Sequence, residues 1–551
     1  MRLQRSLWTI PLLLPALWAA QVWPHALGRR NGDLVSHVWA MWNGSLGDPT
    51  RTALLSWPDG LDLLPIYGGW LHTFVGAGLV RLGLEAPAAY TLTVSMWAVV
   101  AGLAGMVLAR SVGASVPAAA VAGLVLQLDG FVLRNLTGGR PEHAGLGFTA
   151  LALAAAWTLW KRPLGRVNTL LTAILGALVF VVSWEHALWL ALALGWMLPW
   201  LWTGTADEDR RPALRRWGTA GLLSAGIASV WLVPFLVRAL AVRDVSEGRQ
   251  MGHLALDQAI SLGDWALQSG GHPARGLVLF VLALPWLVAP NRRRVAIGAV
   301  VGLLVALVLA MGPSPGIWRS GDLWSSADGS PVWFGPFAHL QQLPVLGWFH
   351  SPERLAMGTG LAIAAAVALA VDRLAGHSRV GAALLGGLVV LHAGLDARRA
   401  KLWPSAHLEL PPFEEVERLS WHREQGAVLD LPPTADPQAQ LQRVALQLLH
   451  QRPIAGHLYL PHLAVDQTPR LLADVPLLQW AAGVPERLGQ PPPPLADSDR
   501  DALRALGVSF VAIHRREVDP RRRQAVLAAL EAAFGKPVAH QKGAWTAFLV
   551  R

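Results

Sequence analysis

Long apolar blocks separated by short polar segments dominate the chain up to about residue 397. About 20 apolar residues are enough for a helix to cross a bilayer. The pattern therefore predicts an all-α polytopic membrane domain with about 11 transmembrane helices. The predicted spans are residues 7–27, 88–109, 116–134, 145–160, 167–183, 186–203, 217–240, 276–290, 295–311, 355–373 and 380–396.

The segment 68–84 is apolar but short, and it contains His72 and Arg81. We interpret it as a helix that lies at the membrane surface. With this segment left out of the spans, the arginines and lysines of the short loops fall on the side of the N-terminus, as the positive-inside rule requires; Arg29 and Arg30 are the exception. The N-terminus is then cytoplasmic, and the predicted outer loops are 28–87, 135–144, 241–275 and 312–354.

The character of the chain changes after residue 397, where charge and proline content rise and no further span is visible. Strands are expected at 426–432, 508–515, 536–540 and 544–549, and helices at 437–451 and 519–534. Strands that alternate with helices indicate a small α/β domain. The sequence thus predicts a transmembrane domain over 1–397 and a soluble extracytoplasmic domain over 398–551.

Composition narrows the class of protein. The 551 residues are 53% hydrophobic and 15% charged, with no cysteine, which excludes disulfides, cysteine-ligated zinc and thiol nucleophiles. Much of the basic charge behind the net +10 lies in short loops, so it indicates topology and not nucleic-acid binding. The first apolar run lacks a small-residue cleavage site, so we expect an uncleaved first span. Arginine outnumbers lysine, and alanine, glycine and proline abound, which suggests a bacterial genome and hence the inner (cytoplasmic) membrane.

The segment after the first span concentrates candidate chemistry. Asp33, His37 and Trp39 lie within seven residues, and positions 33 and 37 would share one face of a helix. An acid, an imidazole and indoles at a membrane boundary could bind a polar headgroup or a sugar. Alternatively, the tryptophans and the histidine only anchor the chain at the interface, as an aromatic belt does.

Two further groups stand at the outer ends of spans. Arg140, Glu142 and His143 follow the turn residues Gly138-Gly139, either as a site or as a solvated loop. Arg354 opens a span and could hold a lipid phosphate or serve only as an interfacial anchor.

Ionisable residues also occur within or beside spans. Asp129 lies inside a predicted span, where a structural contact and a proton site are both open. Glu185 and His186 lie at a predicted outer boundary, where we expect water to reach them.

The order of these features resembles the GT-C superfamily of membrane glycosyltransferases over about residues 1–375. The resemblance rests on Gly32-Asp33 after the first span, LLPIYGGWLHTF at 63–74, Glu142-His143 where the family commonly has Asp, and LPVLGWFHSPERL at 343–355. LDLP at 429–432 and HQRPIAGH at 450–457 are similar to the soluble tail of a poorly characterised bacterial branch.

This resemblance implies transfer of a sugar from a polyprenyl-phosphate carrier to an acceptor on the outer face of the membrane. It implies Asp33 as general base or metal ligand, Glu142 and His143 as assisting groups, and Arg140 or Arg354 as the phosphate ligand. His37 and Trp39 are then candidate substrate-binding residues. A divalent cation is a candidate cofactor, although Glu142-His143 in place of Asp leaves metal dependence open.

Two other functions stay open on the sequence. One is a flippase or exporter of a lipid-linked substrate, which would need a hydrophilic path through the spans. The other is a non-catalytic GT-C-fold protein of the envelope. The sequence does not identify the sugar, the acceptor or a partner of the tail.

Overall fold

The computed structural model describes two compact units. The described residues are 6–28, 32–64, 69–162, 165–242, 283–284, 288, 290, 293–312, 336–340, 352–399, 407–408, 419, 422–434, 436–456, 468–487, 489–541 and 544–550. The first unit comprises Met1–Arg29, Tyr67–Val75 and Tyr90–His407, and the second comprises Arg30–Ile66, Gly76–Ala89 and Leu408–Arg551. The predicted domain boundary at residue 397 stays a prediction.

Helices account for most of the described chain. Up to residue 399 they are α1 (Ile10–Val22), α2 (Gly32–Leu46), α3 (Leu71–Arg81), α4 (Ala86–Ser111), α5 (Val116–Gln127), α6 (Gly130–Gly138), α7 (Pro141–Ala144), α8 (Leu146–Lys161), α9 (Arg166–Val182), α10 (Trp184–Thr203), α11 (Asp207–Val242), α12 (Arg293–Ala310), α13 (Pro336–Leu340), α14 (Met357–Ala375) and α15 (Arg379–Arg399), with 3-10 turns at Leu7–Thr9 and Pro352–Ala356. Later in the chain they are α16 (Pro437–His450), α17 (Thr468–Leu472), α18 (Pro476–Ala482), α19 (Asp497–Ala505) and α20 (Arg523–Phe534), with a 3-10 turn at Pro485–Arg487.

The protein is a multi-pass membrane protein. Five helices of the described chain are long and apolar enough to cross a membrane, and a bent pair makes a sixth candidate. The five are Ala86–Ser111, Pro141–Lys161, Asp207–Leu240, Met357–Ala375 and Arg379–Arg398. The predicted total of about 11 spans stays a prediction, and most of 276–290 lies outside the described residues.

The exposed apolar faces of two helices fit contact with lipid. In the apolar window of Asp207–Leu240 only 17% is buried inside the protein, and in that of Arg379–Arg398 only 28%. By contrast, α3 has 11 residues and is therefore about 16 Å long, too short for a hydrocarbon core of about 30 Å. Its length fits the surface helix expected from the sequence.

The helix breaks within the predicted span over 116–134, and the span itself stays a prediction. The pair α5 and α6 is bent by 41° at residues 128–129. Asp129 precedes α6, and its carboxylate accepts hydrogen bonds from the backbone N–H groups of Phe131 (2.9 Å) and Val132 (3.3 Å). The side chain satisfies donors that a helix start leaves unpaired, so Asp129 has a structural role as N-cap.

Close packing of α14 on this break depends on Gly360. A Cβ atom built at Gly360 would lie 2.6 Å from Asp129 Oδ2 and 2.8 Å from its Cγ. We expect Gly360→Ala to displace the cap and to lower stability by about 1–3 kcal/mol, the usual cost of overpacking.

Thermal unfolding of the detergent-solubilised protein checks this prediction. Gly387→Ala on α15 is the matched control, because its Cβ would meet nothing within 4 Å. Equal melting temperatures for the two variants would contradict the packing argument.

A second polar tie joins helices inside the first unit. Gln127 is fully buried, and its amide nitrogen donates to the carbonyl oxygens of Pro11 (2.8 Å) and Ala98 (3.0 Å). It thereby connects α5 with α1 and α4. A buried polar side chain that satisfies two carbonyls stabilises one arrangement of helices over others.

The strands of the described chain are short. They are β1 (Ala26–Leu27), β2 (Arg51–Thr52), β3 (Leu61–Asp62), β4 (His407–Leu408), β5 (Ala427–Leu431), β6 (Val508–His514), β7 (Ala539–Gln541) and β8 (Trp545–Leu549). β5, β6, β8 and β7 lie side by side in that order. β5 is parallel to β6, while β6–β8 and β8–β7 are antiparallel.

The four strands and two helices predicted for the tail occur at or near their expected positions. β5 and β8 are buried at every residue, and β6 at all but one. Four helices, α17, α18, α19 and α20, contribute apolar residues to the core against these strands. The extracytoplasmic location of this part stays a prediction.

Trp39 connects two parts of the second unit. The indole is fully buried, and its Nε1 donates to Gln447 Oε1 at 2.9 Å. The amide nitrogen of Gln447 donates in turn to the carbonyl oxygens of Leu54 and of Arg452 (2.9 Å). Trp39 on α2 therefore has a packing role against α16, and its predicted role in substrate binding stays a prediction.

Candidate functional site

A cluster of buried polar side chains lies in the first unit. Glu142 and His143 come from α7, Glu185 and His186 from the start of α10, and Arg354 from the 3-10 turn before α14. The exposed fractions of Glu142, His143, Glu185 and His186 are 7%, 2%, 3% and 0%. Buried charges are costly unless they are paired, so the arrangement of this cluster requires a reason.

Glu185 is the central member of the cluster. Its Oε1 lies 2.6 Å from Arg354 Nη1 in a hydrogen-bonded ion pair, and its Oε2 lies 3.3 Å from His143 Nδ1. His143 Nε2 lies 3.4 Å from Glu142 Oε1. The four side chains form a series in which a carboxylate stands on either side of the imidazole.

Local sequence explains how Glu142 and His143 are presented. α6 ends at Gly139, which adopts a left-handed conformation with φ of 77°. Glycine adopts this conformation without a Cβ penalty, as the predicted turn at Gly138-Gly139 requires. Pro141 then starts the single turn of α7, and its fixed φ suits the first helical position.

Glu185 lies in the first turn of α10, directly after the break at Ser183. A carboxylate is stabilised there by the partial positive charge of the helix N-terminus. Next to it, His186 Nδ1 lies 3.3 Å from Thr149 Oγ1, and its ring centroid is 6.3 Å from that of His143. His186 Nε2 has no hydrogen-bond partner among the described residues.

Two sequence expectations about this cluster are wrong. Glu185 and His186 were expected in water at a span boundary, and 135–144 had a solvated loop as one interpretation. Instead, residues 135–138 belong to α6, and both Glu-His pairs are buried. The burial of these side chains means that the end of an apolar segment does not mark the water boundary here.

A glycine brings the segment 69–74 against the cluster. A Cβ atom at Gly69 would lie 1.7 Å from the carbonyl oxygen of Val182 and 3.0 Å from Glu142 Cβ, so any larger residue would collide with backbone. Trp70 N–H donates to the carbonyl oxygen of Val181 at 2.8 Å. Gly69 and Trp70 thus hold this segment beside the end of α9.

His72 is the candidate metal ligand that the sequence reasoning missed. A ligand atom of its ring lies within 4.8 Å of a carboxylate oxygen of Glu142. Histidine and carboxylate are common ligands of zinc and related cations. Among the described residues of the first unit, His72 and Glu142 therefore offer ligand types that suit a divalent cation.

The predicted site residues fall into two sets. Glu142, His143 and Arg354 are brought together, and the backbone carbonyl of Arg140 accepts from His143 N–H at 3.2 Å. Asp33, His37 and Trp39 lie on α2 in the second unit, where Asp33 is partly exposed and the other two are buried. The catalytic or binding role of each stays a prediction, and most of the outer loops 241–275 and 312–354 lies outside the described residues.

An apolar groove of about 490 Å³ adjoins the cluster. At one end it is lined by Trp189, Leu355 and Gly358, each close in sequence to Glu185 or Arg354; at the other end Lys161 and Arg294 line it. Between Trp189 and Gly204 the groove follows α10 for about 22 Å, at about 1.5 Å per residue. Trp157, Trp196 and Trp200 line its length.

The fold of this chain, but not its sequence, is similar to that of known proteins. No protein-family model and no curated protein matches the chain by sequence. Its fold is similar to the arabinofuranosyltransferase AftD from Mycobacteria, with a TM-score of 0.54 and 17% identity over 100% of this chain but 41% of AftD. It is also similar to ArnT from Cupriavidus metallidurans, solved bound to undecaprenyl phosphate (TM-score 0.54, 12% identity) and in the apo state (0.53, 13%), with 99% of this chain and 98% of ArnT covered. The chain therefore has the fold of the GT-C membrane glycosyltransferases, as its sequence features suggested.

Proposed function

We propose that this protein transfers a sugar from a polyprenyl-phosphate carrier to an acceptor on the outer face of the cytoplasmic membrane. The observation that carries the proposal is the buried series Arg354, Glu185, His143 and Glu142 at one end of a long apolar groove. A lipid phosphate needs a fixed cation and its isoprenoid tail needs an apolar channel. The first unit offers both side by side.

Arg354 is the proposed ligand of the carrier phosphate. Its guanidinium is held by Glu185 at 2.6 Å, which fixes its plane. A guanidinium carries five N–H donors in a planar fork, so it can contact a carboxylate and a phosphate oxygen at the same time. In the reaction, the bond between the anomeric carbon and the phosphate breaks, and Arg354 stabilises the charge left on the phosphate.

The acceptor hydroxyl attacks the anomeric carbon in a single displacement, which inverts the configuration there. Glu142 and His143 of the first unit assist this step, and Arg140 belongs to the same proposed site. For the second unit, the GT-C resemblance separately implies Asp33 as general base and His37 and Trp39 as substrate-binding residues. A divalent cation, when bound by His72 and Glu142, would supply further positive charge to the phosphate. These roles come from the GT-C resemblance and from the residue types.

The groove favours a transferase over a flippase. A flippase must provide a polar path for the sugar headgroup, whereas this groove is lined mainly by aliphatic and tryptophan side chains. Such a lining suits an isoprenoid tail. The same proposal includes the predicted topology. It has a cytoplasmic N-terminus, about 11 spans and an outer location of residues 398–551.

Binding of undecaprenyl phosphate tests the proposal without knowledge of the sugar. With the full-length protein in nanodiscs, we expect undecaprenyl phosphate to raise the melting temperature in a concentration-dependent way. Arg354→Gln should weaken binding about 10- to 150-fold, the value of a charge-assisted hydrogen bond of about 1.5–3 kcal/mol.

A second pair of variants tests the groove. Ala362→Phe fills it, while Ala383→Phe on the exposed face of α15 is the matched control. Loss of binding in the first variant alone supports the proposal. Undiminished binding in both Arg354→Gln and Ala362→Phe would overturn it, and binding without any transfer would favour the non-catalytic alternative.

A further inference from the structure

A second pocket lies in the second unit, among residues that the proposed transfer reaction does not use. It has a volume of about 280 Å³, and its lining includes Asp436, Gln442, His514, Arg516, Glu517 and Ala544. This volume is near the lower end of the range for small-molecule sites, about 300–1,000 Å³. The pocket therefore suits a ligand of about one ring.

His514 is the most buried polar residue of the lining. It ends β6, is 3% exposed, and its Nε2 lies 2.7 Å from Asp430 Oδ1 on the neighbouring β5. Burial by itself raises the pKa of Asp430, but the hydrogen bond from His514 and the charge of Arg443 hold this pKa below its usual value. Because an ionised carboxylate only accepts, the Nε2–H of His514 is the donor in this hydrogen bond.

Glu517 stands beside Nδ1, the other ring nitrogen of His514. Its Oε1 lies 3.8 Å from His514 Nδ1, and its Oε2 is held at 2.7 Å by Nη2 of Arg443, whose side chain is buried. Arg443 also donates to the carbonyl oxygen of Pro432. An imidazole nitrogen and a carboxylate oxygen are thus fixed next to each other, each oriented by a buried partner of its own.

We propose that this pocket binds a single sugar residue through neighbouring hydroxyl groups. Two adjacent hydroxyls can form hydrogen bonds with His514 Nδ1 and Glu517 Oε1, because a hydroxyl both donates and accepts, while Gln442 and Arg516 offer donors for other ring oxygens. An anionic ligand would meet the carboxylates of Glu517 and Asp436. The inference stands on these side chains alone and does not require that the protein transfers sugars.

Saturation-transfer NMR of the full-length protein in nanodiscs tests the proposal. The probes are the methyl glycosides of D-mannose, D-glucose, D-galactose and D-arabinose. We expect at least one to bind saturably, Ala544→Phe to abolish this binding by filling the pocket, and Glu517→Gln to weaken it about 10-fold or more, in line with the loss of a hydrogen bond to a charged group.

The matched control for the filling variant is Ala528→Phe, at an exposed position on α20. It should bind the probes as the unmodified protein does. Absence of binding by all four probes, or equal binding in Ala544→Phe and Ala528→Phe, would overturn the proposal. Arg354→Gln should lose undecaprenyl phosphate and keep the sugar, so the two proposals fail separately.

Discussion

Glu185→Gln is expected to lower sugar transfer about 100-fold or more, comparable to removal of one electrostatic group from an active site. Glutamine keeps the size of the side chain but removes the charge that holds Arg354 Nη1 at 2.6 Å. The guanidinium of Arg354 is then no longer held in one orientation. The carrier phosphate therefore lacks a positioned ligand. Glu185 is a positioning residue in this account, because it acts through Arg354 and His143.

The same change should also destabilise the protein, because it leaves a largely buried cation without its carboxylate. Breaking one side of a buried ion pair costs about 3–5 kcal/mol. A loss of activity alone would therefore not distinguish a catalytic effect from unfolding. The double variant Glu185→Gln with Arg354→Gln resolves this, since it removes both charges together.

We expect the double variant to recover much of the lost melting temperature but none of the transfer activity. The assay is the glycan profile of a deletion strain complemented with each variant, beside thermal unfolding of the purified proteins. Glu208→Gln, at an exposed position of α11, is the matched control and should change neither. Normal transfer by the double variant would exclude Arg354 as the phosphate ligand.

Sequence reasoning located part of this site because the residue types are unusual for their positions. Glu142, His143 and Arg354 stand out as ionisable groups beside apolar segments. The turn at Gly139 was predictable because two glycines, Gly138 and Gly139, follow each other. The expectation that water reaches Glu185 is wrong, because an apolar segment need not end where water begins. Its ion pair with Arg354 joins positions 169 residues apart, a contact that no local pattern encodes.

The fold, like the site, could be predicted from the sequence only in part. Tail strands were predictable because short β-branched and apolar runs lie between turn residues. The order β5-β6-β8-β7 was not, because strand order depends on contacts between distant segments. The break between α5 and α6 was also missed, since hydropathy over 116–134 is continuous and only the cap by Asp129 reveals it.

Arg452 belongs to the RPIAG segment of the tail, residues 452–456, and makes several contacts there. This side chain is 5% exposed, and its guanidinium donates to the carbonyl oxygens of Leu419 (2.8 Å) and His422 (2.8 Å) and to Gln425 Oε1 (2.8 Å). It also lies over the ring of Phe510 on β6, 5.6 Å from the centroid. One planar group thus ties the segment before β5 to the sheet.

Arg452→Lys is expected to lower the stability of the second unit by about 2–4 kcal/mol. A lysine has one side-chain nitrogen and cannot reach all three acceptors, so buried carbonyl oxygens lose their donors. The charge is kept, so the effect isolates geometry. Hydrogen exchange of peptides covering β5 and β6 is the measurement, since it reports this unit separately from the helices. Arg521→Lys, at an exposed position, is the control and should change exchange within about 0.5 kcal/mol. Unchanged protection in Arg452→Lys would mean that the charge alone, and not the planar fork, holds the segment before β5 in place.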